Sequence, residues 1–146
     1  MTAFEQIPVL EILPQRPPFV FVDKLLHYDE VLTKTEYRIP DDALFVEDGY
    51  FRTAGLIEHM AQSAAVRTGY VARYVLHVPV TIGYIGSVRK FKVLRRPRVG
   101  ETLETSVFLR EDIFGITLTD IEVRSGGQLL ATASLKTAIS DKEAGA

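Results

Sequence analysis

Glu58 and Gln62, one helical turn apart, are the side chains of this sequence whose types and spacing most suggest chemistry. Glu58 follows the apolar Leu56 and Ile57 and precedes a run of small residues, Ala61, Ser63, Ala64 and Ala65. A carboxylate without a partner is costly to bury, so an acid in this setting points to proton transfer. The plainer explanation is an acid near the start of a helix, where the backbone dipole favours negative charge. Gln62 either hydrogen-bonds Glu58 or faces solvent, and residue type alone leaves both open.

Other chemistries fall away. With no cysteine there are no disulfides, thiolate metal sites or cysteine nucleophiles. His27, His59 and His77 are far from any His-x-x-x-His or His-Glu-x-x-His spacing, so no metal or other cofactor is expected. A net charge of -2 argues against nucleic acid as the main partner. Arg89, Lys90, Lys92, Arg95, Arg96 and Arg98 nevertheless form a basic run with no acid among them. Such a run is either a solvated face or a rim that attracts an acidic partner.

The elements that must position these residues suit one domain, spanning residues 1–140, with 141–146 as a disordered tail. At 146 residues, 47% hydrophobic and 25% charged, the chain supports a single core. It has no apolar run long enough to span a membrane. The opening MTAFEQIPVLEIL lacks the pattern of a secretion signal, so a cytoplasmic location is expected. Residues 4–13 read as a short amphipathic helix limited by Pro8, after which Pro14, Pro17 and Pro18 enforce extended chain. Strands are expected over Phe19–Leu26 and Val31–Ile39, followed by a long loop over 40–52. A helix then spans 54–75 with Thr53 as its N-cap, its small residues suiting close contact with surrounding backbone. Four more strands follow at about 81–93, 101–111, 114–124 and 128–139, the last two joined by a Ser125-Gly126-Gly127 turn. The order predicts an α+β fold, an antiparallel sheet of about six strands around one long central helix. One helix leaves a sheet face and strand edges uncovered, so pairing of two subunits is expected.

Two segments resemble a known family. Leu13-Pro14-Gln15-Arg16-Pro17-Pro18-Phe19-Val20-Phe21-Val22-Asp23 is similar to the Leu-Pro-His-Arg-x-Pro-Phe-x-x-Val-Asp opening of the 3-hydroxyacyl carrier-protein dehydratases. Leu56-Ile57-Glu58-His59-Met60-Ala61-Gln62-Ser63-Ala64-Ala65 resembles their central-helix motif, Ile-Glu-Ala-Met-Ala-Gln-x-Ala. The resemblance implies a dimeric hot-dog fold with an acyl tunnel at the subunit interface. It also implies a thioester substrate carried by acyl carrier protein or coenzyme A, in fatty-acid or polyene-type chain synthesis. In that family a histidine of a Gly-His-Phe-Pro loop removes a proton beside the thioester carbonyl, and a helix carboxylate of the other subunit helps the hydroxyl leave. Glu58 matches the carboxylate, whereas the loop reads Gly49-Tyr50-Phe51-Arg52, with Tyr50 at the histidine position. Phenols are mostly protonated at neutrality and make poor general bases. Successive helix residues point about 100° apart, so His59 is not expected to share a site with Glu58 within one subunit.

The resemblance assigns catalytic roles to Glu58 and Tyr50. Phe51, Gly55 and Gln62 become substrate-binding candidates, Gly55 by letting the thioester carbonyl approach backbone N–H groups. For Tyr50 and Phe51 the residues themselves favour anchoring of the loop over lining a tunnel, and Gly55 equally suits close packing. The basic run becomes a candidate carrier-protein patch. Arg16 and Asp23 read as structural. Three functions compete: a dehydratase, a thioesterase in which Glu58 activates water, and a non-catalytic subunit that lends Glu58 to an active homologue as a heterodimer.

Overall fold

The computed structural model describes residues 3–143. Its centre is helix α1 (Thr53–Tyr70), prolonged by a wider π-type turn over Val71–Val75. The main strands are β1 (Lys24–Tyr28), β2 (Leu32–Arg38), β5 (Thr81–Val93), β6 (Thr102–Ile113), β7 (Ile116–Ser125) and β8 (Gln128–Glu143), with the small hairpin β3 (Val46–Glu47) and β4 (Tyr50–Phe51) preceding the helix. The six long strands form one antiparallel sheet in the order β1-β2-β6-β7-β8-β5. One long helix packed against six antiparallel strands is the architecture expected from the sequence.

Buried and exposed side chains alternate along β2, β6 and β7, the period-two pattern of a sheet with one face on a core. That face meets Leu56, Met60 and Ala64 of α1. A second cluster, Ile7, Ile12, Leu13, Val22 and Leu25 around Val66, fastens the N-terminal segment to the helix. The segment comes so close that a Cβ at Gly69 would overlap the Ile12 carbonyl group. Close approach of backbone to α1 thus occurs at Gly69.

Several boundaries differ from the sequence reading. Residues 4–13 form two short 3₁₀ turns, Phe4–Gln6 and Val9–Glu11, because Pro8 interrupts a helix that is already too short to persist. Phe19–Asp23 is extended but lies outside any strand. Much of its backbone bonds to helix side chains: Phe19 O accepts from Gln62, Phe21 N–H donates to Gln62, and Phe21 O pairs with His59, while the Asp23 N–H donates to Glu36 O of β2. Thr53 is the first helical residue, and Arg52 occupies the N-cap without a side-chain capping bond. The Arg52 N–H is taken by Phe45 O at 2.7 Å, which feeds the small hairpin directly into α1. β8 runs to Glu143, into the segment expected to be disordered, while 144–146 lie outside the described residues.

Among the described residues β5 is paired along one side only and forms a free edge, with Tyr84 and Ile85 exposed on it. Among the described residues no helix is long and apolar enough to cross a membrane.

Candidate active site

Glu58, Ala61, Ala65 and Thr68 lie on one stripe of α1, at the 3-4-3 spacing of a single helix face. Together with the start of β5 and the end of β8 this stripe lines a cleft of about 260 Å³. The two alanines leave the space, and Tyr84, Ile85 and Ile139 give it an apolar wall. Among the described residues that line it, Glu58 is the one charged side chain.

Gln62 holds that carboxylate. Its Nε2 donates to Glu58 Oε1 at 3.1 Å and to Phe19 O at 2.8 Å, while its Oε1 accepts from the Phe21 N–H at 2.7 Å. With a backbone donor on one end and a backbone acceptor on the other, the buried amide has one consistent orientation. Of the two readings of Gln62, hydrogen bonding to Glu58 is the one observed, so it positions the carboxylate instead of facing solvent.

His59 points away into the core. It is fully buried, with Nδ1 2.6 Å from Phe21 O, Nε2 2.7 Å from Thr105 Oγ1, and its ring stacked on Tyr37. Burial drives its pKa down to about 4, opposed by the bond to Phe21 O. The neutral ring donates from Nδ1 and accepts the Thr105 hydroxyl at Nε2. Ser63 extends this network, bonding His59 O and Thr35 Oγ1. His27 pairs with Asp29 at 2.7 Å on the outer strand, and His77 lies beyond the helix. No histidine lines the Glu58 cleft.

The other sequence candidates are dispersed. Tyr50 lines a different cavity, with Asp48, Arg52 and Arg96, and its ring lies under the guanidinium groups of Arg96 and Arg98 at 5.3 and 5.4 Å. Phe51, a substrate-binding candidate, is instead a core residue: it is fully buried and packs on Phe21 and Tyr37. Gly55 has the close-packing role, because a Cβ there would strike Phe45 and the Phe51 ring, and it does not line the cleft. Arg16 and Asp23 are structural: Arg16 donates to Leu13 O and Gln15 O, and Asp23 accepts the Arg38 N–H.

The basic run is split. Arg95 forms a two-pronged bond to Glu101, which also holds the Arg98 N–H, and reaches Gln128. Arg89 lines a third cavity beside Glu111 and Lys136, and Lys90 faces a fourth beside Arg110, Asp120 and Glu122. Lys92 is exposed on β5 past the irregularity at Lys90, which has φ 53°. A continuous patch of six charges therefore does not form, and Arg96 and Arg98 beside Tyr50 are what remains of it.

A family model described as ApeP dehydratase, of the ApeP-like group, matches residues 7–145. The chain belongs to the ApeP-like dehydratase family. Among solved structures this ApeP-like chain is similar to the dehydratase heterocomplex ApeI:P from Xenorhabdus doucetiae, at 21% identity over 93% of each chain and a TM-score of 0.87. It is also similar to smu.793 from Streptococcus mutans UA159 bound to acetyl CoA (12% identity, 88% and 95% of the two chains, TM-score 0.64). A third likeness is to the E. coli PaaI protein from the phenylacetic acid degradation operon (15%, 78% and 80%, TM-score 0.61). No curated protein matches the chain. These likenesses establish the hot-dog fold.

Among the cleft residues that the sequence does not single out is Gln15. The available signal was its position, since it stands where the dehydratase opening pattern carries histidine.

Proposed function

We propose that this ApeP-like chain contributes the carboxylate half of a composite dehydratase site, acting on a 3-hydroxyacyl thioester with a histidine supplied by a related hot-dog subunit. The observation that carries this reading is Glu58, held by Gln62 in an apolar cleft that no histidine of the chain reaches. The free edge of β5, with Tyr84 and Ile85 exposed beside that cleft, suits a second subunit that would close it into an acyl channel. The likeness to a chain of the ApeI:P dehydratase heterocomplex supports a non-identical partner over a homodimer. The acetyl-CoA-bound relative supports a thioester ligand.

In this reading the partner's imidazole takes the proton at C2. Its electron pair forms the C2–C3 double bond, the C3–O bond breaks, and the hydroxyl leaves as water with a proton from Glu58. Transfer of the proton from imidazolium to Glu58 restores the site. The product is the trans-2-enoyl thioester. Tyr50, in a separate cavity, takes no part as base at the Glu58 of its own chain.

The test is to mix the purified chain with a histidine-bearing hot-dog relative and a 3-hydroxyacyl thioester. Enoyl product without free thiol is expected. Free thiol without enoyl product would establish hydrolysis instead.

Arg96 and Arg98 are the proposed contact for an acidic carrier protein and its phosphate-bearing arm. Substituting both by Glu is expected to raise KM for carrier-bound substrate about tenfold at low salt, with the difference shrinking as ionic strength rises. KM for a short synthetic thioester without carrier should stay unchanged, which steady-state kinetics on both substrates will reveal.

A further inference from the structure

We propose that Gln15 recognises the 3-hydroxyl of the substrate, its side-chain carbonyl accepting that hydroxyl's hydrogen bond so that the hydroxyl oxygen faces Glu58. This rests on the dehydratase reading and assigns the group that selects its substrate.

Gln15 is firmly held. Pro14 precedes it and Pro17 follows two residues later, limiting the backbone. The neighbouring Arg16 guanidinium donates to Leu13 O at 2.7 Å and to Gln15 O at 2.8 Å. The side chain lines the same cleft as Glu58. Its Oε1 is buried, with no hydrogen-bond partner among the described residues. Unmade buried acceptors are uncommon and call for a reason. Three other polar side chains of the cleft are already engaged: Thr68 bonds Ala64 O, Thr137 bonds Thr117, and Glu58 is held by Gln62.

What this acceptor lacks is a donor that arrives with the ligand. The acyl portion of a 3-hydroxyacyl thioester carries one donor, the 3-hydroxyl, because the thioester carbonyl and sulfur only accept. Donating to Gln15 leaves the hydroxyl lone pairs free to take the Glu58 proton. The departing water keeps its original hydrogen on Gln15 throughout, so atoms and charge balance without a further group. The enoyl product has no such donor and leaves Gln15 unpaired again, which favours release. A pocket that hydrogen-bonds a hydroxyl discriminates far more strongly against an analogue lacking it than an apolar pocket does.

The experiment compares wild type with Gln15→Leu in the complex with the histidine-bearing partner. Three quantities are measured: kcat/KM for a 3-hydroxyacyl pantetheine thioester, Ki for the saturated thioester of the same length, and melting temperature. For Gln15→Leu, kcat/KM should fall by about tenfold to a hundredfold. Ki should stay within about twofold and the melting temperature should not drop, since no hydrogen bond among the described residues is lost. Equal losses for both ligands, unchanged kinetics or a clear fall in melting temperature would each overturn the assignment. Glu58→Gln, measured alongside, separates the two ideas. If that variant keeps full turnover, the dehydratase reading fails; if it is inactive while Gln15→Leu behaves as wild type, only the role of Gln15 fails.

Discussion

Glu58→Gln lowers turnover of the assembled complex about 10³-fold, the loss typical of removing one acid in proton transfer. The substitution keeps the shape of the side chain, and its carbonyl oxygen still accepts the Gln62 amide that now meets Glu58 Oε1. Fold and assembly therefore persist, and what disappears is the proton given to the departing hydroxyl. Because that proton moves only as the C3–O bond breaks, kcat falls while KM changes little. Steady-state kinetics and a thermal melt on the same preparation check both halves. Turnover within a few-fold of wild type would remove the carboxylate from the mechanism.

The second large effect concerns stability. His59 binds a proton near pH 6.5 when unfolded but only near pH 4 inside the core. Between those values the unfolded chain holds more protons than the folded one, so acid favours unfolding. His59 therefore costs nothing above about pH 7, and its penalty grows as pH falls, approaching roughly 3 kcal/mol near pH 4. Urea unfolding across that range should show the decline. His59→Gln should flatten it, while lowering stability at neutral pH through disturbed bonds to Phe21 O and Thr105. An acid limb of the same slope in both proteins would show that His59 is not its source.

Much of the fold was legible because it rests on local rules. β5 runs over Thr81–Val93 as its β-branched and aromatic content implies, and the Gly126-Gly127 turn takes positive φ at both residues. What escaped the sequence depends on distant partners. Phe19–Asp23 has the composition of a strand, yet Gln62 and His59 claim its backbone from 38 to 43 residues away. The Val46–Glu47 and Tyr50–Phe51 hairpin carries too few residues to show alternation.

The site was half legible for the same reason. Glu58 stood out as a lone acid amid apolar and small residues, and Gln62 sits at the spacing that lets it bond. Phe51 and Gly55 looked like substrate-binding residues because their loop resembles a catalytic one, but the structure uses them to pack against Phe45 and Phe21. Six neighbouring charges looked continuous, although Glu101 claims Arg95 and an irregularity at Lys90 sends the rest in different directions. Gln15 carried no mark beyond its position, since an unpaired oxygen becomes visible only when every neighbour is placed.

The most direct measurement of a composite site is a titration of this chain into a fixed amount of the histidine-bearing subunit, following enoyl formation. Activity should rise and level off at one chain per partner, and Glu58→Gln chain added in excess should suppress it by occupying the same place. Full activity of either subunit alone, or no suppression by the variant, would contradict a carboxylate delivered across the interface.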